Sequence, residues 1–228
     1  MIQMKNVYKK YPNGIVALNG LDVEIDQGEF VYIVGPSGAG KSTFIKMMYR
    51  EERPTSGQML VDGVDITALK NKHVPMLRRN IGVVFQDFKL LPRLNVYENV
   101  AFALEVIEES PDSIRKKVID TLDLVGLKQK ARMFPNELSG GEQQRVSIAR
   151  SIVNTPKVLI ADEPTGNLDP DTSWDIMRLF EEINNRGTTI IMATHNREIV
   201  NTIRKRVIAI EGGLIVRDVA GGDYGYEG

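Results

Sequence analysis

Gly35-Pro36-Ser37-Gly38-Ala39-Gly40-Lys41-Ser42-Thr43 spells the phosphate-loop pattern G-x-x-x-x-G-K-[ST]. The pattern carries weight only between a strand and a helix. Phe30-Val31-Tyr32-Ile33-Val34, just before it, predicts a buried strand. Thr43 to Arg50, just after it, predicts a helix packed through Phe44, Ile45, Met47 and Met48. Gly35, Gly38 and Gly40 let the backbone curl until successive N–H groups point at one anion. A helix N-terminus behind the loop adds partial positive charge. Lys41 is expected to reach the β- and γ-phosphates of a nucleotide, and the Ser42 hydroxyl to ligate Mg²⁺. Pro36, Ser37, Ala39 and Thr43 complete the expected nucleotide-binding loop.

The rest of the composition narrows the class. The chain of 228 residues suits one domain, or a domain with a subdomain. A net charge of −1 gives no polybasic footprint, so nucleic acid is not an expected partner. With no cysteine, disulfides and thiolate metal sites are excluded. Met1 to Lys5 shows no apolar signal-peptide core. No apolar run approaches the ~18 residues needed to span a bilayer. A role at a membrane therefore requires another chain to cross it.

Outward from the loop, Ile2 to Tyr11 and Ala17 to Ile25 alternate as strands around the turn Pro12-Asn13-Gly14. Tyr11 either stacks on a base or covers a sheet edge. Gln58 to Val61 predicts a short strand and His73 to Arg79 a short helix, with His73 solvated. Ile81 to Phe85 predicts a buried strand ending at Gln86, which either ligates Mg²⁺, holds a water, or caps the strand. From Asp87 to about Asn154 the pattern turns helical, with helices over Val96 to Glu108 and Ser110 to Leu124. Leu138-Ser139-Gly140-Gly141-Glu142-Gln143 opens another helix. Ser139 and Glu142 form a capping box. Two glycines in a first turn cost about 1 kcal/mol each against alanine, which capping leaves unexplained. A helix start stripped of side chains is a second anion site.

Lys157 to Ala161 is an apolar strand ending in Asp162 and Glu163, the pattern of a Walker B strand. Asp162 is expected to hold Mg²⁺. Glu163, on the opposite side if the strand continues, is expected to orient or deprotonate the attacking water. A helix follows from about Asp171 to Asn185, with Trp174 packing. Next come a strand from Thr188 to Ala193 ending at His195, a helix from Asn196 to Arg204, and a hairpin over Gly212-Gly213. Gly221 to Gly228 is expected to fray.

In this order, the phosphate loop, Gln86, Leu138 to Gln143, Asp162-Glu163, Asn167-Leu168-Asp169 and His195 resemble the ATPase domain of ATP-binding-cassette (ABC) transporters. The resemblance implies an α/β P-loop NTPase with a RecA-like core, an antiparallel β subdomain and an inserted helical subdomain. The core with its β subdomain would comprise residues 1–86 and 155–228, and the helical subdomain about 87–154. It implies that Tyr11 stacks on adenine, Gln86 touches Mg²⁺ and His195 contacts the γ-phosphate. It further implies that Ser139, Gly140, Gly141 and Glu142 cap ATP held by a second copy, and that Asp169 lies at the dimer interface. Val84 to Pro92 and Val96 to Ala101 narrow the likeness to the branch that serves bacterial cell division. ATPases of lipoprotein release and macrolide export are its near relatives. The implied protein is peripheral to the cytoplasmic face of the membrane. Its expected membrane subunit docks near Phe88, Leu90 and Leu91; the alternative is that these three fold inward and seal the junction between the core and the helical subdomain.

Overall fold

The computed structural model describes residues 1–225. In chain order the strands are β1 (Ile2–Lys10), β2 (Val16–Ile25), β3 (Phe30–Val34), β4 (Ser56–Val61), β5 (Val64–Asp65), β6 (Ile81–Phe85), β7 (Val158–Asp162), β8 (Thr189–Ala193), β9 (Arg206–Glu211) and β10 (Leu214–Val219). The helices are α1 (Lys41–Met48), α2 (Val74–Arg78), α3 (Val96–Glu105), α4 (Pro111–Leu124), α5 (Gly140–Ile152), α6 (Pro170–Asn185) and α7 (Arg197–Ile203).

Among the described residues the strands form two sheets. One is antiparallel with order β2-β1-β4-β5, and the other runs β10-β9-β3-β8-β7-β6. In the second, β6, β7, β8, β3 and β9 are parallel and β10 is an antiparallel edge. Parallel strands are covered on both faces and so read as continuous apolar runs. β3 and β8 are buried at every residue.

The period-2 alternation of β3 divides the core. Phe30, Tyr32 and Val34 pack with residues of α3, α4, α5, α6 and α7. Val31 and Ile33 pack on the other side with α1 and the inward face of the antiparallel sheet. No strand lies between β6 and β7, where α3, α4 and α5 fill the interval. Asn95 and Ser139 cap α3 and α5 with reciprocal capping boxes. Ser110 stands at the N-cap of α4 without a side-chain cap bond.

Register brings the expected site residues to one edge. Phe85 pairs with Asp162, Asp162 with Ala193, and Ala193 with Ile33. Gln86, Glu163, His195 and the phosphate loop therefore all leave the sheet at its carboxyl edge, where open α/β sheets bind ligands.

The expected fraying of Gly221 to Gly228 is corrected through residue 225, and residues 226–228 lie outside the described residues. Tyr224 is 7% exposed and packs on the helical side of the core. Its N–H donates to Asn201 Oδ1 at 2.7 Å, and Arg217 donates to the carbonyls of Asp223 and Tyr224, each at 2.7 Å.

Candidate functional site

The phosphate loop runs from the end of β3 into α1. Gly35 has φ +146° and Gly40 +109°. A Cβ on Gly35 would lie 2.1 Å from the Ile210 carbonyl oxygen, and one on Gly40 would lie 2.4 Å from that of Ala17. Neither position admits another residue without moving backbone. Lys41 Nζ donates to the Gly35 carbonyl at 2.6 Å and the Pro36 carbonyl at 3.0 Å, which holds the ammonium inside the curl of the loop.

A cavity of ≈560 Å³ opens over this loop, lined by Tyr11, Ile15, Lys41, Ser42, Asp162 and Glu163 together with Ser37 to Gly40 and Thr43. Tyr11 Oη lies 3.1 Å from Thr43 Oγ1, and Lys9 Nζ covers the Tyr11 ring at 4.8 Å from its centroid. The lining thus combines the Tyr11 ring and apolar Ile15 and Ala17 with the Lys41 cation and two carboxylates. Burial raises the Asp162 pKa above the usual carboxylate range, and the Glu163 charge adds to this, against the pull of Lys46 and Lys41. A carboxylate in that state favours an incoming cation. The Ser42 hydroxyl lines the same space, so the donor set fits Mg²⁺, a hard cation that takes oxygen ligands.

Glu163 departs from simple strand alternation. β7 ends at Asp162 and Glu163 takes φ +50°, so both carboxylates line the cavity instead of opposing each other. Left-handed backbone at a residue other than glycine costs of order 1–3 kcal/mol and gathers at functional sites. The Glu163 carboxylate is tied to His195: Oε2 accepts the His195 backbone N–H at 3.2 Å and lies 2.8 Å from Nδ1. A proton on Nδ1 leaves Nε2 for a second partner.

Other expected residues stand apart. The Gln86 side-chain amide donates to Asn167 Oδ1 at 3.1 Å and the Asn167 amide to the Gln86 carbonyl at 3.1 Å; Gln86 does not line the cavity. Nor do Ser139, Gly140, Gly141 or Glu142, which form the start of α5. Ser139 Oγ accepts the Glu142 N–H at 3.3 Å, and Lys130 holds the Glu142 carboxyl below its usual pKa. Asp169 caps α6 by accepting the Thr172 N–H at 2.9 Å. His73 is exposed.

The two signature glycines separate on packing. A Cβ on Gly141 would stand 2.4 Å from Thr172 Cγ2, so α6 of the same chain demands this glycine. A Cβ on Gly140 would meet nothing closer than Leu168 Cδ2 at 3.5 Å. Gly141→Ala should therefore destabilise the fold by about 1–3 kcal/mol, as overpacking does. Gly140→Ala should leave the melting temperature unchanged or slightly raised. Thermal unfolding of both variants decides this, and equal losses would mean that packing does not separate them.

The three apolar residues expected in a docking loop take different places, and Phe88 and Leu90 are half-buried. The Phe88 ring approaches the start of α5, with Cζ 3.9 Å from the Cβ position of Gly140, and Leu90 packs on the core. Leu91 instead lines a groove of ≈720 Å³ between β6 and the helices, together with Phe85, Phe102, Val106, Ile107 and Arg150. Phe102 is 43% and Val106 61% exposed. Sequence reasoning missed this wall. The signal was present, because apolar residues occupy both sides of α3: Val100, Ala101 and Leu104 inward, Phe102 and Val106 outward.

A phosphate loop, a strand-end carboxylate pair and a glycine-started helix on a separate part of the surface define an ATP-binding cassette. The chain belongs to the ABC transporter family, whose model matches residues 18–166. It is similar to the cell division ATP-binding protein FtsE of Bacillus subtilis, at 71% identity over 99% of each chain. Against FtsE of Streptococcus pneumoniae the identity is 63% over 100% of this chain and 99% of that one. A dimeric ATP-binding cassette solved in a post-hydrolysis state with ADP and Pi matches with a TM-score of 0.86 and 36% identity, covering 97% of this chain and 99% of that one. The chain binds ATP and is an ATPase.

Proposed function

We propose that this chain is the ATP-hydrolysing subunit of a bacterial cell-division complex. It works at the cytoplasmic face of the membrane with an integral, FtsX-like subunit, and its ATP cycle drives activation of peptidoglycan hydrolases across that membrane. Full-length 71% identity to a cell division ATP-binding protein carries the assignment. Among the described residues no helix is long and apolar enough to cross a membrane. The spanning part falls to the partner.

The cavity geometry supports the chemistry. Tyr11 stacks on the adenine. The loop N–H groups and Lys41 hold the β- and γ-phosphates. Ser42 and Asp162 hold Mg²⁺, which when bound neutralises charge on the phosphate oxygens. Glu163 accepts a hydrogen bond from the attacking water and takes its proton. His195 fixes the Glu163 carboxylate through two donors and offers Nε2 toward the γ-phosphate. Gln86 serves the cavity once its amide leaves Asn167.

The chain's own cavity lacks one wall, because Ser139 and Gly140 face elsewhere. That separation supports a sandwich of two copies, each offering the start of α5 to ATP held by the other. Asp169 lies beside this contact. Gly140, the glycine that its own chain does not demand, marks where the partner's phosphate approaches.

The partner's cytoplasmic helix docks in the Phe102–Val106 groove, as apolar anchors do in helix-in-groove recognition. Phe102→Asp and Val106→Asp each remove an anchor worth about 1.5–3 kcal/mol on burial. Both variants should keep wild-type melting temperature and ATP affinity yet leave the membrane fraction when the partner is co-expressed. Folded variants that still sediment with membranes would refute docking at this groove.

A further inference from the structure

Directly after Gln86 the backbone is held in an unusual form. Phe88 has φ +59° and the next residue, Lys89, φ +48°. Two successive left-handed residues, neither of them glycine, need an external hold. Arg150 supplies it from the last turn of α5: Nη1 donates to the Lys89 carbonyl at 2.7 Å and Nη2 to the Phe88 carbonyl at 3.1 Å. Arg150 forms no ion pair among the described residues. Burial lowers its pKa, and no carboxylate offsets this. The Phe88 ring meanwhile lies near Gly140 at the other end of α5. The loop therefore meets this helix at both ends: the Phe88 ring lies beside its first turn, and the Arg150 guanidinium reaches the loop carbonyls from its last.

We infer that Arg150 is a positioning residue for ATP hydrolysis: by holding the Phe88 and Lys89 carbonyls, it sets the backbone that carries Gln86 and ties that backbone to the helix bearing Ser139 and Gly140. The inference rests on the reading of Gln86 as a residue that serves the phosphate cavity. Gln86 is held by Asn167 on one side and by this turn on the other. Releasing the turn lets Gln86 wander while the phosphate loop, Lys41 and Asp162 stay intact. Turnover then falls while ATP binding holds.

The test uses the full chain in saturating MgATP. Arg150→Met should lower kcat by about tenfold or more, as small misplacements of reacting groups do, while equilibrium ATP affinity stays within about twofold. Arg150→Lys, which reaches one carbonyl, should recover part of the loss. Glycine populates positive φ without strain. Adding Lys89→Gly to Arg150→Met should therefore restore turnover further, because the turn then needs less hold. Gln86→Ala is measured alone and combined with Arg150→Met; losses that fail to add support one shared route. If Arg150→Met does not fold, the Arg150→Lys and Lys89→Gly arms carry the test. Full kcat in Arg150→Met, a reduced kcat in Arg150→Lys that Lys89→Gly fails to raise, or losses that add fully to those of Gln86→Ala, would overturn the inference. An unchanged rate in Gln86→Ala would instead remove the reading beneath it.

Discussion

Glu163→Gln is expected to bind MgATP and to hydrolyse it about 10²–10⁴-fold more slowly, the range for loss of a general base. The geometry gives two reasons why binding survives. The glutamine carbonyl oxygen can still accept an N–H from His195, so the left-handed turn after β7 keeps a partner. Removing the Glu163 charge also removes a repulsion that raises the Asp162 pKa, so Asp162 becomes the stronger acid and the better cation ligand. ATP should then persist in the cavity. A ligand at 100 times its dissociation constant adds about 2.7 kcal/mol per site to the state that binds it. If that state is a sandwich of two copies, an ATP-dependent dimer accumulates and light scattering detects it. A variant that stays monomeric in saturating MgATP would contradict the composite site, and one that hydrolyses at the wild-type rate would remove Glu163 from the chemistry.

Lys41→Ala is expected to abolish tight MgATP binding. The ammonium sits inside the loop on the Gly35 and Pro36 carbonyls, with one N–H left over. Moving those donors onto phosphate oxygens makes hydrogen bonds to charged groups, each worth about 1.5–3 kcal/mol. Losing two of them lowers affinity by about 10²–10⁴-fold at 1.4 kcal/mol per decade. Equilibrium nucleotide binding measures this, with the melting temperature as control. Near-normal affinity in a folded variant would mean that the loop N–H groups alone hold the phosphates.

The parts of the site legible in the sequence are those with local causes. Phe30 to Thr43 announces itself through an apolar run, glycines and a lysine at fixed spacing. Val158 to Glu163 does the same with a buried run ending in acids. Register then follows, since parallel strands deliver their ends to one edge. Features set by pairs distant in sequence were not legible. Nothing near Gly141 reveals Thr172, so both glycines read alike, as a bare helix start open to an anion. Strand alternation placed Glu163 opposite Asp162, and only the left-handed turn with its His195 contacts brings both to one cavity. Phe88 and Leu90 could be read either way, as docking residues or as a seal, because apolar residues in a loop carry no period; both are half-buried, with Leu90 against the core and Phe88 beside α5. The tail looked frayed because its anchors, Asn201 and Arg217, are not in the tail.

The position of β3 has a consequence for how the molecule comes into being. Among the described residues its sheet neighbours are β8 and β9, at Thr189–Ala193 and Arg206–Glu211. During synthesis the ribosome delivers β1, β2 and β4 together, and these can pair locally. The strand that precedes the phosphate loop must wait for more than half of the chain before either flank is closed. Long-range parallel pairing of this kind is intrinsically slow and leaves apolar strands open to misassociation. The phosphate loop therefore hangs from a strand whose two flanks close only after β8 and β9 have been made.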